Sequence, residues 1–395
     1  MCNEFAETLV RRYGWIFVGI TVQLITFTPL AAQIVLFHPW LSYDTERHYL
    51  LLVAPFHLSV LSIWINYILG CRTSPGHVPL DYTPVSGKPR WCKECSCYKP
   101  PRSHHCSICN KCVLKMDHHC PWLNNCIGQN NHAYFLRFIG SVTVASLYGS
   151  FLIALRIWEI VQYQNDLRAY YRGDWDTPLR FSPPLSGFQI VTMFIVIIIF
   201  FLLLLTVGIL YVWQLFYLYD NTTTIENSEN STIESLKKRN IIPEDKVFPY
   251  DLGWYNNFQQ MFGNYWFLWW LPFGSYGNGI DYPKRPGTEH YSWPPREYYL
   301  YKKYPYGKPS KQERKEEKRR RKDNHIRRGS EGYLVKQLTA EEREQLVTGK
   351  SNEIDDDQSE DASSTDYDSL EESEEFDTDE EVLQETQTRM GKKIK

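Results

Sequence analysis

Eight of the ten cysteines lie in one short segment, Cys92 to Cys126, and its residue types could support metal binding. The segment reads Cys92-x2-Cys95, His104-His105-Cys106-x2-Cys109-x2-Cys112, Asp117-His118-His119-Cys120 and, finally, Cys126. Zinc takes four soft or borderline ligands in a tetrahedron, and a Cys-x2-Cys pair supplies two from one tight turn. A local cluster beside histidines favours metal binding in a reducing compartment over disulfides. The segment holds enough Cys and His for two closed zinc sites.

Four long apolar blocks flank this segment, two before it and two after it. The first runs from about Trp15 to Phe37 and the second from about Leu50 to Leu69. The third starts near Tyr134 and has no charged residue over Phe138–Leu155. The fourth contains Met193–Leu210 and lies within an uncharged stretch between Arg180 and Asp220. Such runs have the length that a bilayer requires, although buried helices of a large soluble protein are the alternative. We therefore expect a mainly α fold, a four-helix transmembrane bundle with the cysteine-rich segment between spans two and three.

Basic residues in the short loops predict the orientation. The loop from Gly70 to Ala133 holds eight Lys or Arg, and the loop between the first two spans holds only Arg47. The loop between the last two spans holds three Arg matched by three Asp. We therefore expect the cysteine-rich loop and both termini on the cytosolic side.

The segment resembles the cysteine-rich domain of the DHHC-type protein S-acyltransferases (palmitoyltransferases), in particular the fungal ER-resident members. The match covers Trp91–Phe138 and includes Lys99-Pro100-x-Arg102, Asp-His-His-Cys-Pro-Trp, Asn124-Asn125-Cys126-Ile127-Gly128 and Asn131. The family also has four spans with this domain between the second and the third. The resemblance implies two structural zinc ions in a domain of short hairpins. One zinc would be bound by Cys92, Cys95, His105 and Cys112, and the other by Cys106, Cys109, His119 and Cys126.

That assignment leaves Asp117, His118 and Cys120 without a structural role. The thiolate is the nucleophilic form of cysteine, and an unperturbed thiol, with a pKa of about 8.5, is mostly protonated at neutral pH. A histidine two residues away can take the proton, and a neighbouring carboxylate can orient that histidine. The resemblance implies that Cys120 takes an acyl group from long-chain acyl-CoA and passes it to a substrate cysteine. The alternative is that Cys120 is a zinc ligand and Asp117 an ordinary loop residue.

Other residues are expected to bind the acyl-CoA. A cavity among the spans would hold the chain, because each buried methylene contributes about 0.8 kcal/mol. Trp122 matches the family's tryptophan beside the reactive cysteine and is expected at the cavity mouth, with an interfacial anchor as the other interpretation. The cations that the resemblance supports for the CoA phosphates are Arg90, Lys99, Arg102 and His104. Alternatively, these cations only follow the bias for positive charge in cytosolic loops.

A motif follows the fourth span: Thr223-Thr224-Ile225-Glu226 matches the family's Thr-Thr-x-Glu. The hydroxyls of Thr223 and Thr224 are expected to hydrogen-bond the Asp117–His118 pair. Further on, Pro249–Trp254 and Asn257 resemble the family's C-terminal element, and Asn257 is expected to tie that element to the spans.

The remaining C-terminal sequence is aromatic and then strongly charged. The aromatic run Trp266–Phe273 is too short to span a bilayer and predicts an interfacial helix. Residues Lys302–Arg328 hold 13 Lys or Arg against four acids, and Glu353–Glu381 holds 16 acids and no base. Such blocks predict a disordered tail. The final Lys392-Lys393-Ile394-Lys395 resembles a di-lysine retrieval signal, which predicts residence in the ER membrane.

The expected organisation has five parts. Residues 1–70 hold the N-terminus and spans one and two, 71–133 the zinc domain, 134–219 spans three and four, 220–300 a cytosolic C-terminal element, and 301–395 the tail. The expected partners are the membrane, acyl-CoA and protein substrates with cytosolic juxtamembrane cysteines, with no nucleic acid.

Two other function classes compete with the enzyme. A membrane-anchored zinc module that only recruits partners would tolerate replacement of Cys120. A transporter or channel would call for several ionisable residues within the spans. The cores of the apolar blocks offer only His57, which favours the acyltransferase.

Overall fold

The computed structural model describes residues 2–41, 49–79, 81–84, 90–173, 182–289, 292–303, 326–328 and 334–336. The helices are α1 (Cys2–Ala31), α2 (His38–Leu41), α3 (Tyr49–Arg72), α4 (His132–Tyr171), α5 (Gly187–Leu203), α6 (Ile209–Tyr219), α7 (Thr224–Lys238), α8 (Trp254–Phe262) and α9 (Arg296–Lys303). The strands are β1 (Arg90–Cys92), β2 (Cys97–Lys99), β3 (His104–Cys106), β4 (Lys111–Val113), β5 (His118–Cys120), β6 (Asn125–Ile127), β7 (Ile326–Arg328) and β8 (Leu334–Lys336). Single π-helical segments, Ala32–Phe37 and Leu204–Gly208, join α1 to α2 and α5 to α6.

Four helical stretches are long and apolar enough to cross a membrane. They are Val10–Trp40, Leu51–Arg72, His132–Tyr171 and Gly187–Tyr219. The predicted mainly α fold with four spans is confirmed. The third span is longer than predicted, because the helix continues through a polar segment to Tyr171. Its 40 residues extend about 60 Å at a rise of 1.5 Å per residue, about twice the thickness of a hydrocarbon core.

The fourth span shows how the helices divide their faces. Met193, Val196 and Phe200 recur at helical spacing and are buried against the other spans. The opposite face carries large exposed apolar side chains, among them Phe194 and Phe201. An exposed apolar face of this extent is what a lipid-facing helix presents, because lipid is as apolar as the side chains.

Polar side chains close the bundle at the end away from the cysteine-rich domain. The indole Nε1 of Trp40 donates to Glu159 Oε2 at 2.6 Å, and Arg156 Nη1 donates to Ser182 Oγ at 2.6 Å. Buried polar groups are stable only when they are hydrogen-bonded. These bonds tie the first and third spans to each other and the third to the segment before α5.

The cysteine-rich domain consists of three antiparallel hairpins, β1–β2, β3–β4 and β5–β6. The turn of each hairpin contains a residue in the left-handed region: Ser96 at φ 49°, Asn110 at φ 52° and Asn124 at φ 48°. Asparagine tolerates this conformation better than most residues. The strands have three residues each, so the hairpins need cross-links to be stable.

The C-terminal element packs against the spans and the hairpins through α7, α8 and the segment up to Trp293. The interfacial helix predicted over Trp266–Phe273 is, in the structure, a 3₁₀ turn of three residues, Trp266–Leu268, followed by bends. Gly263 precedes the run and Pro272 lies within it, which leaves too few residues for a stable helix. Trp266, Phe267 and Phe273 are nevertheless exposed, and Trp270 is 80% exposed, whereas Trp269 packs against Phe258 and Phe262 of α8.

A second compact unit comprises Leu236–Pro243 and Pro294–Glu371. Its described part contains α9 and the hairpin β7–β8, and the Arg239 guanidinium lies 5.6 Å from the centre of the Tyr301 ring. Most of the basic block, all of the acidic block and the di-lysine sequence lie outside the described residues.

Candidate active site

Two groups of Cys and His side chains converge between the hairpins. The first is Cys92, Cys95, His105 and Cys112, and the second is Cys106, Cys109, His119 and Cys126; in each group the ligand atoms lie within 4.8 Å of one another. Two examples are the 3.3 Å distances from Cys95 Sγ to His105 Nδ1 and from Cys109 Sγ to His119 Nδ1. Four donors at such separations fit a tetrahedral zinc with Zn–S of about 2.3 Å and Zn–N of about 2.0 Å.

These groups follow the strand register. His105 pairs with Cys112 across β3–β4, and His119 pairs with Cys126 across β5–β6. Each group takes its other two ligands from the preceding hairpin segment, so each metal joins one hairpin to the next. The protein supplies all four ligands of each metal, which is the pattern of a structural zinc site. The prediction of two structural zinc ions is confirmed.

Strand alternation separates metal ligands from reactive side chains in β5. Successive residues of a strand point to opposite faces, so His118 and Cys120 share one face and His119 points to the zinc group on the other. Asp117 precedes the strand and is 1% exposed, and its Oδ2 lies 2.6 Å from His118 Nδ1. Cys120 is also buried. The three residues singled out by the sequence therefore lie together.

The Asp117 carboxylate is held by one residue from the end of the fourth span and one from the start of α7. Oδ1 accepts the backbone N–H of Thr224 at 2.7 Å, and Oδ2 accepts the Thr224 hydroxyl at 3.0 Å and Gln214 Nε2 at 3.1 Å. Thr224 is the first residue of α7, so the carboxylate also lies at a helix N-terminus, where negative charge is stabilised.

The two threonines of the motif have different contacts. Thr223 does not contact the Asp117–His118 pair, unlike the expectation from the motif. Its backbone N–H donates to Glu226 Oε2 at 2.9 Å, and its hydroxyl accepts the Glu226 N–H at 3.2 Å. This reciprocal arrangement is a capping box, which satisfies free donors at the start of α7. Thr223 therefore holds the helix that presents Thr224.

The local electrostatics polarise the His118 side chain. Burial alone would raise the pKa of Asp117, but the hydrogen bonds from His118 and the Thr224 N–H hold it well below its usual range. Burial alone would lower the pKa of His118, but its hydrogen bonds to Asp117 and Cys120 raise it to about 10. His118 is thus a strong proton acceptor directly beside the Cys120 thiol.

Cys120 opens into a cavity of about 580 Å³ whose lining comes from all four spans. We call the end of the cavity next to the hairpin β5–β6 its mouth; His118, Cys120 and Trp122 line this end, and the lining residues farthest from it along the helices are Pro29, Phe56, Ser146 and Phe200. From Phe135, whose ring lies against His118, α4 rises about 16 Å to Ser146 at 1.5 Å per residue. The described lining residues include no charged side chain except His118.

Trp122 is one of the residues that line this cavity. Its ring packs edge-to-face on Phe17 with 5.3 Å between the centroids, and its carbonyl accepts the Tyr67 hydroxyl at 3.0 Å. These contacts join the loop after Cys120 to the first two spans.

Arg102 differs most from its predicted role. Its guanidinium forms a bidentate pair with Glu226, both N···O distances being 2.7 Å, and donates to the Asn221 carbonyl at 2.6 Å. The rings of Tyr250 and Tyr282 lie 4.6 Å and 5.0 Å from it. The expectation that Arg102 binds CoA is corrected, because its side chain is buried and its donors are used within the protein.

The other three predicted cations have different environments. Lys99 is buried. Arg90 Nη2 donates to the carbonyls of Pro100 and Ser103 at 3.0 Å and 3.2 Å. His104 is half-buried. Of the four candidates, Arg90 and His104 retain partial exposure.

Removing one partner of the buried Arg102–Glu226 pair should strongly destabilise the protein. Replacing Glu226 with alanine leaves a buried guanidinium unpaired, which is expected to lower the free energy of unfolding by about 3–5 kcal/mol. Denaturant unfolding of the purified protein in detergent would measure it. Glu234→Ala, on the exposed side of the same helix, is the control and should change stability by about 0.5 kcal/mol or less. Equal unfolding curves for the two variants would contradict the buried pairing of Arg102 with Glu226.

Asn257 links the C-terminal element to the spans. Its Nδ2 donates to the Tyr219 carbonyl at 2.6 Å and to Asp251 at 2.8 Å, and its Oδ1 accepts the Leu252 N–H at 2.9 Å. The residue therefore joins α8 to the end of the fourth span, and it lies away from the acyl cavity.

Sequence reasoning missed two residues of this region, Gln214 and Asn221. Gln214 is the one amide of α6, the second half of the fourth span, and a polar residue in such an apolar helix is a signal of function. Asn221 adopts a left-handed conformation at φ 50° and accepts Lys115 Nζ at 3.2 Å. Burial, and second the nearby Arg102, lower the pKa of Lys115 to about 7.

Comparison with known proteins agrees with this geometry. The family model described as DHHC palmitoyltransferase matches residues 85–231. Palmitoyltransferase PFA4 of Yarrowia lipolytica is 33% identical over 241 residues, which cover 59% of this chain and 66%, just under two thirds, of that protein. Palmitoyltransferase PFA4 of Debaryomyces hansenii is 31% identical over 286 residues, which cover 61% of this chain and 70% of that protein. Probable protein S-acyltransferase 13 of Arabidopsis thaliana is 28% identical over 320 residues, which cover 71% of this chain and 95% of that protein. The resemblance seen in the cysteine-rich segment is confirmed, and the chain belongs to the DHHC palmitoyltransferase family.

Proposed function

We propose that the chain transfers a long-chain acyl group from acyl-CoA to Cys120 and then to cysteines of substrate proteins at the cytosolic face of a membrane. The observation that carries the proposal is the position of Cys120. The thiol lies at the mouth of an apolar cavity formed by all four spans and shares a strand face with His118. A nucleophile, a base and a chain-binding volume thus meet at one point.

In the first step, His118 takes the proton of Cys120, and Cys120 Sγ attacks the thioester carbonyl of acyl-CoA. The bond from the carbonyl carbon to the CoA sulfur breaks, and the CoA thiolate leaves and is protonated. Asp117 keeps the imidazole oriented and stabilises its cation, as the carboxylate does in other base-activated nucleophile systems. When bound, the zinc ions hold the hairpins that carry these residues.

In the second step, a substrate cysteine thiolate attacks the Cys120 thioester, and the Cys120 thiolate leaves. His118 can first take the proton of the substrate thiol, which forms this thiolate, and can then return a proton to the Cys120 thiolate. One thioester replaces another in each step, so no external energy source is required. Two separate steps also mean that acyl donor and protein substrate need not be aligned at once.

The composition of the cavity supports this function over transport. Two arginines of the third span, Arg137 and Arg156, are buried but point away from the cavity lining. Arg137 donates to the carbonyls of Trp269 and Phe273 at 2.7 Å and 2.6 Å. An ion or solute pathway would require such groups to face the cavity.

The depth of the cavity should set the preferred chain length. Replacing Ser146 with phenylalanine fills the far end, so palmitoyl-CoA should lose affinity relative to shorter acyl-CoAs. Each methylene that no longer fits removes about 0.8 kcal/mol, or about fourfold in relative affinity. Competition between acyl-CoAs of different lengths in autoacylation would measure it.

The matched control is Leu147→Phe, which adds the same ring on the exposed side of the same helix. That variant should retain the wild-type preference. A Ser146→Phe enzyme with unchanged chain-length preference would contradict the assignment of the cavity.

We keep Arg90, Lys99 and His104 as the cations proposed to bind the CoA phosphates, and Trp122 as the residue at the cavity mouth. The partial exposure of Arg90 and His104 supports the first proposal. Thr224 supports the reaction through its contacts with Asp117, and Thr223 and Asn257 support it by holding α7 and α8.

The proposed location is the ER membrane, with both termini cytosolic and the five-part organisation given above. Substrates would be membrane-associated proteins with juxtamembrane cysteines on the cytosolic side. The bias of basic residues toward the cysteine-rich loop supports this orientation.

The retrieval signal has its own test. Changing Lys392 and Lys393 to serine is expected to release the protein toward later secretory compartments, because the di-lysine sequence would no longer be bound. Fluorescence microscopy against compartment markers would show it. ER staining that does not change would contradict the signal.

The catalytic proposal is tested by incubating the purified protein with labelled palmitoyl-CoA. We expect label that neutral hydroxylamine removes, since hydroxylamine cleaves thioesters, and mass spectrometry should place it on the peptide containing Cys120. A chase with a cysteine-containing membrane substrate should then move the label. Label found only on other cysteines, or none at all, would overturn the proposal.

A further inference from the structure

Gln214 is a buried amide in a helix that is otherwise apolar over its last turns. It is 2% exposed, whereas the neighbouring Trp213 and Phe216 have more than half of their side chains exposed. The Gln214 side chain therefore points away from the lipid-facing side of α6 and into the protein. An amide in this position must be hydrogen-bonded to be stable.

The contacts of Gln214 lead directly to the reactive residues. Nε2 donates to Asp117 Oδ2 at 3.1 Å and lies 3.4 Å from Thr224 Oγ1, while Oε1 lies 3.4 Å from His132 Nε2. The same Asp117 oxygen accepts the hydrogen bond from His118. Gln214 thus joins the fourth span, the start of the third span and the Asp117–His118 pair.

The chemistry of the partners decides the orientation of the amide. An ionised carboxylate only accepts hydrogen bonds, so Gln214 must present its NH₂ group to Asp117. The amide oxygen then faces His132, which must carry its proton on Nε2 to donate. His132 is itself buried. It therefore fixes the rotation of the amide that serves Asp117.

We propose that Gln214 is a positioning residue for acyl transfer, which orients the Asp117 carboxylate toward His118, and that His132 keeps the Gln214 amide in the required rotation. This inference rests on the proposed function, because it assigns a role in the same reaction. Gln214 does not touch the acyl chain, as it is not among the cavity-lining residues.

The test is single-turnover autoacylation of the full-length protein with labelled palmitoyl-CoA. Gln214→Met keeps the size of the side chain but removes the donor, and the maximal rate is expected to fall about tenfold or more, as for other residues that orient a reacting group. The palmitoyl-CoA concentration giving half-maximal rate should stay within about twofold, because the cavity is unchanged. Gln214→His, which restores an N–H at similar reach, should recover part of the rate.

Gln189→Met is the matched control on the same span. Gln189 donates to the Val35 carbonyl at 3.1 Å, near the start of α5 and far along the helix from Asp117. This variant loses that bond and the one from the Ser186 N–H to Gln189 Oε1 at 2.9 Å, but it should retain the wild-type rate. A rate for Gln214→Met equal to that of Gln189→Met would overturn the inference, as would Gln214→His that is folded yet no faster than Gln214→Met.

A double-mutant cycle tests the part played by His132. If His132 acts through the amide, His132→Leu should slow the wild-type enzyme but have little further effect in the Gln214→Met background. If the fold-losses in rate of the two single variants multiply in the double variant, that role would be overturned. Zinc content and thermal unfolding verify that each variant is folded. Wild-type protein that shows no label on Cys120 would overturn the proposed function itself, whereas a labelled wild type with an equally fast Gln214→Met would overturn this inference alone.

Discussion

Replacing Cys120 with serine is expected to abolish hydroxylamine-labile acylation. A hydroxyl is far less acidic than a thiol, so His118 cannot generate an equivalent nucleophile, and any acyl group that did transfer would form an oxygen ester rather than a thioester. Loss of the nucleophile in such systems lowers the rate by a factor on the order of 10⁴ or more. The measurement is incorporation of labelled palmitate into the purified enzyme, before and after hydroxylamine.

Cys97→Ser is the matched control for this experiment. Cys97 is buried in the same domain and belongs to neither zinc group, so its variant should acylate at the wild-type rate. One further variant refines the test. Asp117→Asn should retain Cys120 yet react slowly, because an amide cannot stabilise the His118 cation. Thioester label of equal amount on wild type and Cys120→Ser would show that another cysteine carries the acyl group.

The parts of the molecule that could be predicted from the sequence depend on local spacing. Each zinc group begins with a Cys-x2-Cys pair from a single turn. All four ligands of a group lie within 21 positions of the chain, as from Cys92 to Cys112. The spans could be predicted because a bilayer imposes a minimum apolar length on any helix that crosses it. Cys120 could be singled out because the ligand sets that the resemblance implies leave it free and because, unlike Cys97, the other unassigned thiol, it follows Asp117 and His118 directly in the chain.

The parts that could not be predicted depend on contacts between distant segments. Glu226, which pairs with Arg102, lies 124 positions later, and Gln214 lies 97 positions after Asp117. Arg102 has the residue type and the position of a phosphate ligand, and only the folding of α7 and two tyrosines over it shows that it is buried. Gln214 follows no pattern, since one amide in an apolar helix has no periodicity to reveal its partner.

A change to one zinc ligand is expected to have the second large effect. Cys126 is fully buried and is the strand partner of His119, so Cys126→Ser removes one of four ligands and the sulfur that holds β6 against β5. Binding of a structural zinc contributes about 10–16 kcal/mol in small domains, which is as much as the whole stability of many proteins. We therefore expect the variant to lose the second zinc, to unfold in this region and to show no autoacylation.

The result is informative because the second zinc group brackets the reactive strand. His119 lies between His118 and Cys120, and Cys120 pairs with Asn125, the residue before Cys126. Asn125 Nδ2 in turn donates to the carbonyls of Gly70 and Thr73 at 3.0 Å and 2.9 Å, which fixes the strand to the end of α3. Loss of this metal should therefore move Cys120 away from both His118 and the cavity.

Metal analysis of the purified protein measures the outcome. Wild type and Cys97→Ser should contain about two zinc ions per chain, as two closed four-ligand groups require, and Cys126→Ser should contain one or none. Because the free energy of zinc binding stabilises the folded domain, a strong chelator should give the same loss in wild type, with acylation falling as zinc is removed. A Cys126→Ser protein that keeps two zinc ions and the wild-type rate would contradict the ligand assignment, and with it the reasoning that leaves Cys120 free to act as the nucleophile.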